Sequence, residues 1–335
     1  MKKIILSALL LASTVTFAQE EKSPLTISGS VDTYYSTNLT TATPGSTGIL
    51  TDVPANGFGL GMANVVIGYE TEKGGVVADL AYGPRANAAN MYNVIDGAVS
   101  GAINQLYAYY NISDKFTATL GQFNTFYGYE VISPAGNFNY SVSYLFNAGP
   151  FSHTGLKVDY AATEDLSLML AVTNPHGIYT GSNLTGDYYQ LGFQAGYKGQ
   201  YLNLAYGADG FGFTDVLYLD YTGGFNATES FYIGINAAYS TSADADSGYQ
   251  GAALYLENTF SDSFALGLRP EFFQNNGAND DSVLALTLTA NTSLTENLKL
   301  ISELRYDGAD AGTSYAPVGG KDNVSALTIA AVYSF

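Results

Sequence analysis

From Leu25 to its last residue the chain is written in segments of about ten residues, in which apolar side chains alternate with small or polar ones between turn formers. Successive side chains of an extended strand point to opposite faces, so this period of two gives each segment one apolar and one polar face. In 164–173, Leu166, Leu168, Leu170 and Val172 share one face while Asp165, Ser167, Met169 and Thr173 share the other. Likewise Tyr189, Leu191, Phe193, Ala195 and Tyr197 oppose Gln190, Gly192, Gln194 and Gly196, and Leu284, Leu286, Leu288 and Ala290 form another apolar set. A slip of one residue would invert each set, so the pattern fixes a register as well as a fold class.

The segments fall near 25–37, 58–71, 74–83, 103–113, 115–122, 153–162, 164–173 and 186–197, then near 200–207, 214–223, 229–239, 248–259, 263–272, 283–292, 297–306 and 325–335. About sixteen strands, an even number, is what a single-chain transmembrane barrel has. The predicted fold is therefore all-β: a transmembrane antiparallel up-and-down β-barrel of about sixteen strands. Tight turns at Glu72-Lys73-Gly74, Ser113-Asp114, Thr163-Glu164, Lys198-Gly199, Ser261-Asp262 and Thr295-Glu296-Asn297 alternate with longer connections. Short turns face the periplasm and long loops the exterior, which puts both chain termini on the periplasmic side.

The N-terminus adds an export signal: Met1-Lys2-Lys3, the apolar run from Ile4 to Leu11, and the small-residue close Thr16-Phe17-Ala18. Cleavage is expected after Ala18, leaving 19–335 as a single outer-membrane β-barrel domain. The apolar run is well short of the roughly 20 residues of a spanning helix. Composition agrees. Charged residues make up only 13% of the chain, against about 25% in a soluble domain, while tyrosine (28) and glycine (37) are abundant. There is no cysteine, so disulfides contribute nothing. A net charge of -18 removes any attraction to phosphate backbones and with it nucleic acid as a partner.

Tyr69, Tyr82, Tyr110, Tyr160, Tyr206, Tyr221, Tyr239 and Tyr306 recur at the ends of apolar faces, where an amphipathic ring sits between hydrocarbon and water. Tyrosine is also simply a good strand former. Counting back from Phe335 in twos gives Tyr333, Ala331, Ile329 and Leu327 on the lipid face. A final strand ending on an aromatic resembles an outer-membrane assembly signal, so the expected partners are outer-membrane lipid, small hydrophilic solutes and the barrel assembly machinery. Homo-oligomerisation is left open.

Inward positions collect Asp32, Glu70, Asp79, Asp159, Asp220, Glu257, Glu271 and Glu303 against Lys157, Arg269, Lys299 and Arg305. Lys or Arg on the lipid face would cost about 2–4 kcal/mol near midplane, so the shared parity of these groups supports the register. They predict a watery lumen with a weak preference for cations, unless neighbouring strands pair their charges and cancel the field.

Gly121-Gln122-Phe123, Gly128-Tyr129-Glu130, Asn137-Phe138-Asn139-Tyr140-Ser141 and Pro150-Phe151-Ser152-His153-Thr154-Gly155 resemble the motifs of the OmpL-like β-barrel porin family. The match covers about a tenth of the chain, with compatible patterning elsewhere. The resemblance implies an outer-membrane pore of unassigned substrate. It also implies an arginine between the serines of Ser141-Val142-Ser143, where this chain has valine. Read from the residues alone, 123–152 is the longest unpatterned connection and the third outward loop, and its rings demand burial. The expectation is a loop folded inward against the lumen wall, with packing over the rim as the alternative. Its constriction residues are expected to be Phe123, Phe126, Tyr129, Glu130, Asn137, Asn139 and Tyr140, with Glu130 hanging into the opening. The wall residues expected to line the pore are Lys157, Asp159, Arg269, Glu271, Lys299, Glu303 and Arg305.

Catalysis has few places to reside. His153 and His176 are the two histidines, and Ser152, adjacent to His153 on a strand, points the other way. His153 reads as a structural hydrogen-bonder and His176 as part of a plain turn. Asp244-Ala245-Asp246 and Asn279-Asp280-Asp281 lack the length and spaced glycine of a calcium loop, and Gly57-Phe58-Gly59-Leu60-Gly61 is followed by a strand, unlike a nucleotide-binding turn. No catalytic residue, metal or cofactor is expected. The predicted function is a passive diffusion channel for small polar solutes. A non-conducting structural or adhesive barrel and, further off, an outer-membrane lipid hydrolase are the alternatives.

Overall fold

The computed structural model describes residues 24–40, 56–90, 94–95, 98–99, 102–175, 189–208, 215–242, 247–277, 280–309 and 322–335. The expected signal 1–18, His176, and Asp244-Ala245-Asp246 lie outside the described residues, as does Asn279.

Sixteen antiparallel strands close into a barrel. They are β1 (Leu25–Asn38), β2 (Asn56–Thr71), β3 (Gly74–Tyr82), β4 (Ile103–Ser113), β5 (Phe116–Asn124), β6 (Ser152–Ala161), β7 (Leu166–Thr173) and β8 (Gln190–Tyr197). The second half holds β9 (Gln200–Gly207), β10 (Val216–Asn226), β11 (Phe231–Ser242), β12 (Ser247–Ser261), β13 (Phe264–Asn276), β14 (Ser282–Ser293), β15 (Leu298–Gly308) and β16 (Asn323–Ser334). Each strand pairs with its sequence neighbours, and β1 pairs with β16 to close the ring. Closure leaves no edge, as lipid requires. Phe335 completes the seam: its N–H donates to Gly29 O and its carbonyl accepts from Gly29 N, both at 3.0 Å.

The predicted parity holds around the ring. Leu284, Leu286 and Leu288 are exposed while Val283, Ala285, Thr287 and Thr289 are buried, and Ile329, Tyr333 and Phe335 are exposed beside buried Thr328, Ala330 and Val332. Of the girdle tyrosines all but Tyr160 are exposed; Tyr160 stacks on Phe116 with centroids 4.4 Å apart. At the turn between β8 and β9, Lys198 (φ 52) and Gly199 (φ 81) both adopt positive φ, the tight hairpin geometry that suits strand twist.

Alternation breaks once in β2. Pairing steps from Val31↔Ala63 to Thr33↔Leu60, so Gly61 and Met62 together face Asp32. The bulge frees the Met62 N–H, which donates to Asp32 Oδ1 at 2.9 Å. It also explains the Gly57–Gly61 run: a Cβ on Gly59 would collide with the Tyr34 ring, and one on Gly61 with the Asp32 carboxylate.

Two connections carry structure that period-two reading does not register. Between β3 and β4 lies a helical turn, α1 (Pro84–Ala89), started by proline at its first position. Between β5 and β6, the third loop contains a 3-10 turn (Pro134–Gly136) and a helix, α2 (Tyr144–Ala148). Ser133 and Ser143 cap these by accepting from Ala135 N and Phe146 N.

Candidate functional site

The third loop has no partner strand, so its buried backbone polar groups must be satisfied by side chains. Lumen-facing charges on distant strands do this. Glu303 on β15 accepts from Tyr140 N (2.9 Å) and Ser141 N (3.2 Å), and Glu271 on β13 accepts from Tyr144 N (3.1 Å) and Leu145 N (2.9 Å). The carbonyls run to arginines. Arg269 donates to Ser141 O (2.7 Å) and Val142 O (3.3 Å), Arg305 to Val142 O (2.8 Å), and Arg85 of α1 to Tyr140 O (2.8 Å). Further along, Asp220 on β10 accepts from Gly128 N (3.0 Å), Asn291 on β14 donates to Phe138 O (2.9 Å), Lys299 donates to Asn137 O (3.3 Å), and Asn139 donates to Thr289 Oγ1 (2.6 Å). Tyr140 OH donates to Asp32 Oδ2 at 2.6 Å on β1. With Gln194 on β8 donating to Phe126 O at 3.2 Å, the loop reaches wall groups from β8 round to β1.

Its rings sit on wall glycines. A Cβ on Gly192 of β8 would meet Phe126 at 2.5 Å, one on Gly234 of β11 would meet the Tyr129 hydroxyl at 2.5 Å, and one on Gly267 of β13 would meet the Phe138 ring, also closer than 3.0 Å. Tyr129 stacks on Tyr255 at 4.0 Å, and Tyr140 lies against Tyr34 at 5.6 Å with the Arg85 guanidinium 4.6 Å over its ring. Burying a ring of this size stabilises by about 1.5–3 kcal/mol, so the seated rings offset part of the cost of ordering the loop and the hydrogen bonds to the wall add to them. Burial also pushes the hydroxyl pKa of Tyr129, Tyr140 and Tyr144 up, which keeps all three protonated.

The structure corrects the reading of Glu130. It does not hang into the opening: its side chain is 3% exposed, Oε1 pairs with Arg269 Nη1 at 2.5 Å, and Oε2 accepts from Ser143 N (2.7 Å) and Ser143 Oγ (2.6 Å). The valine at 142 does not leave the acid unopposed, because Arg269 and Arg305 deliver their guanidinia from the wall to the same place. Arg269, Glu271, Glu303 and Arg305 are almost fully buried beneath the loop and do not line water. Phe123, Asn137, Asn139 and Tyr140 are likewise buried. Asn137 bonds Val131 through both its amide atoms, at 2.9 and 2.7 Å, and so fixes the loop's own turn. Phe126, Tyr129, Lys157, Asp159 and Lys299 stay half-buried, with Lys157 and Asp159 paired at 2.6 Å.

Sequence reading missed three participants. Arg85 sits in a connection with no strand pattern, Asp307 holds Arg305 Nε at 2.8 Å from two residues along β15, and the seating glycines look merely small. His153 accepts or donates at Thr125 Oγ1 (3.0 Å) and lies between Phe126 and Tyr127, centroids 4.7 and 5.2 Å away.

The fold has solved counterparts. OmpT of Vibrio cholerae in its trimer form matches with a TM-score of 0.60 at 13% identity, covering 93% of this chain and 99% of that one. Its loop L8 deletion mutant gives 0.58 at 13% over the same shares, and a mutant porin of Rh. blastica gives 0.54 at 15% over 93% and 100%. No curated protein sequence matches the chain. Residues 24–335 match the family model described as "Putative beta-barrel porin-2, OmpL-like", which spans every strand of the barrel. The chain belongs to that OmpL-like family of outer-membrane β-barrel porins.

Proposed function

We propose that the protein is a passive diffusion channel for small polar solutes, narrowed from inside by residues 125–151 and weakly preferring cations. One observation carries this reading: the charged wall is spent on the backbone of a loop drawn into the lumen. Around sixteen strands enclose an aqueous bore, and an inward loop sets its width. The remaining passage runs beside β4–β6, where Tyr107, Tyr109, Lys157 and Asp159 stay half-exposed. Because Arg269 and Arg305 are neutralised by Glu130 and Asp307, the cation preference rests on residual acids such as exposed Glu70 and is small. A diffusion channel needs no chemistry, so the reading is non-enzymatic.

Planar-bilayer recording tests it. The parent is expected to conduct, with a reversal potential displaced to the cation side in a salt gradient. A folded variant with residues 125–147 replaced by a short Gly-Ser linker is expected to conduct several-fold more. No conductance in either protein would leave a closed barrel; equal conductance in both would place the constriction elsewhere; zero reversal potential would remove the cation preference alone.

The same reading makes the seam residue an assembly signal. Deleting Phe335 removes both hydrogen bonds to Gly29, and the expected result is a marked loss of heat-modifiable folded protein in the outer membrane. An unchanged yield refutes that role.

A further inference from the structure

Asp220, like Glu303, holds the loop without a cationic partner. Glu130 and Asp307 have arginine partners, and Asp32 feels Arg85. Asp220 accepts only neutral donors: Asn203 Nδ2 at 2.7 Å, Gly128 N at 3.0 Å and Asn236 Nδ2 at 2.5 Å. A carboxylate has about four acceptor sites, so one remains. Among the described residues no cationic group pairs with it.

Beside it, between the loop and β10–β12, lies a cavity of about 20 Å³, walled by Tyr127, Tyr218, Tyr249 and Phe146 and floored by Asp220 and Asn236. Tyr127 is only 7% exposed, and among the described residues its hydroxyl has no hydrogen-bond partner. Burial first, then Tyr218 and Asp220, raises that hydroxyl's pKa, so it remains neutral and offers an oxygen lone pair. Tyr127 and Tyr218 stack with centroids 5.8 Å apart, and Tyr218 meets Tyr249 edge-on at 6.3 Å.

We propose that this cavity is a binding site for one small monovalent cation, of potassium or methylammonium size, held by the Asp220 carboxylate, the Tyr127 hydroxyl and the surrounding aromatic faces. The size decides the class. Room for about one water-sized group excludes a sugar or an amino acid, while an unpaired carboxylate ringed by π-faces favours a weakly hydrated cation over water. Bound there, the cation bridges the loop at 127–128 to the wall at β10. The site depends on how the loop is seated and not on conduction, so its test is separate from that of the channel.

Thermal unfolding of the purified, folded barrel is followed in potassium, methylammonium and N-methyl-D-glucamine chlorides at constant ionic strength. The transition temperature is expected to rise saturably with the first two cations and not with the third, which is too large to enter. Asp220→Asn is expected to abolish the rise. Tyr127→Phe, which keeps the ring and its packing, is expected to weaken the apparent affinity several-fold and guards against a misfolded first variant. Equal responses to all three salts, or a saturable rise that both variants retain, would overturn the proposal. Occupancy by water alone gives the first of these results.

Discussion

Replacing Arg269 by methionine is expected to destabilise the seated loop by about 3–5 kcal/mol, the usual cost of removing one partner from a buried ion pair. Arg269 is fully buried, and its loss strands the Glu130 carboxylate together with the carbonyls of Ser141 and Val142. The strand ladder does not run through this side chain, so the barrel should stay closed while the loop lets go. Single-channel conductance is then expected to rise toward that of the loop-replaced variant, with increased protease cleavage within 125–151. Adding Glu130→Gln to Arg269→Met removes the stranded charge and should restore part of the loss. A double-mutant cycle with no coupling, or an Arg269→Met protein that melts and conducts like the parent, would refute the anchoring role.

The second large effect is steric. Valine at Gly192, Gly234 or Gly267 places carbon where Phe126, Tyr129 or Phe138 now rests, and overpacking of this kind costs about 1–3 kcal/mol per site. The three glycines lie on different strands, so the costs should nearly add, and the triple variant is expected to expel the loop from the lumen. Its signature is a conductance close to that of the loop-replaced protein with the heat-modifiable barrel intact. Phe138→Ala combined with Gly267→Val reopens the space and should recover part of the stability. Unaltered conductance in a folded triple variant would show that the rings do not depend on those seats.

The barrel was legible because its signal is local and repeated: sixteen stretches each declare which side chains face lipid, and Leu284–Leu288 or Leu327–Phe335 can be read without knowing their neighbours. The bulge at Gly61-Met62 was not, since its cause, Asp32, sits on the adjacent strand. The loop's content shows that its rings need burial and points them inward, but not to the wall groups that receive them. Glu130 looked free because Arg269 is 139 residues away, and Tyr140 looked like a bare constriction residue because Glu303 is 163 residues away. Val142 misled for the same reason. A guanidinium expected from the loop's own sequence is supplied instead by the wall, and no short-range pattern announces that exchange.

Those separations also set an order of assembly. The loop's contacts draw on Asp32 near the start of the barrel and on Glu271, Glu303 and Arg305 near its end, so the seat is incomplete until the first and last strands have met. The loop is thus a tie across the seam: its full set of contacts exists only in a ring that is already closed.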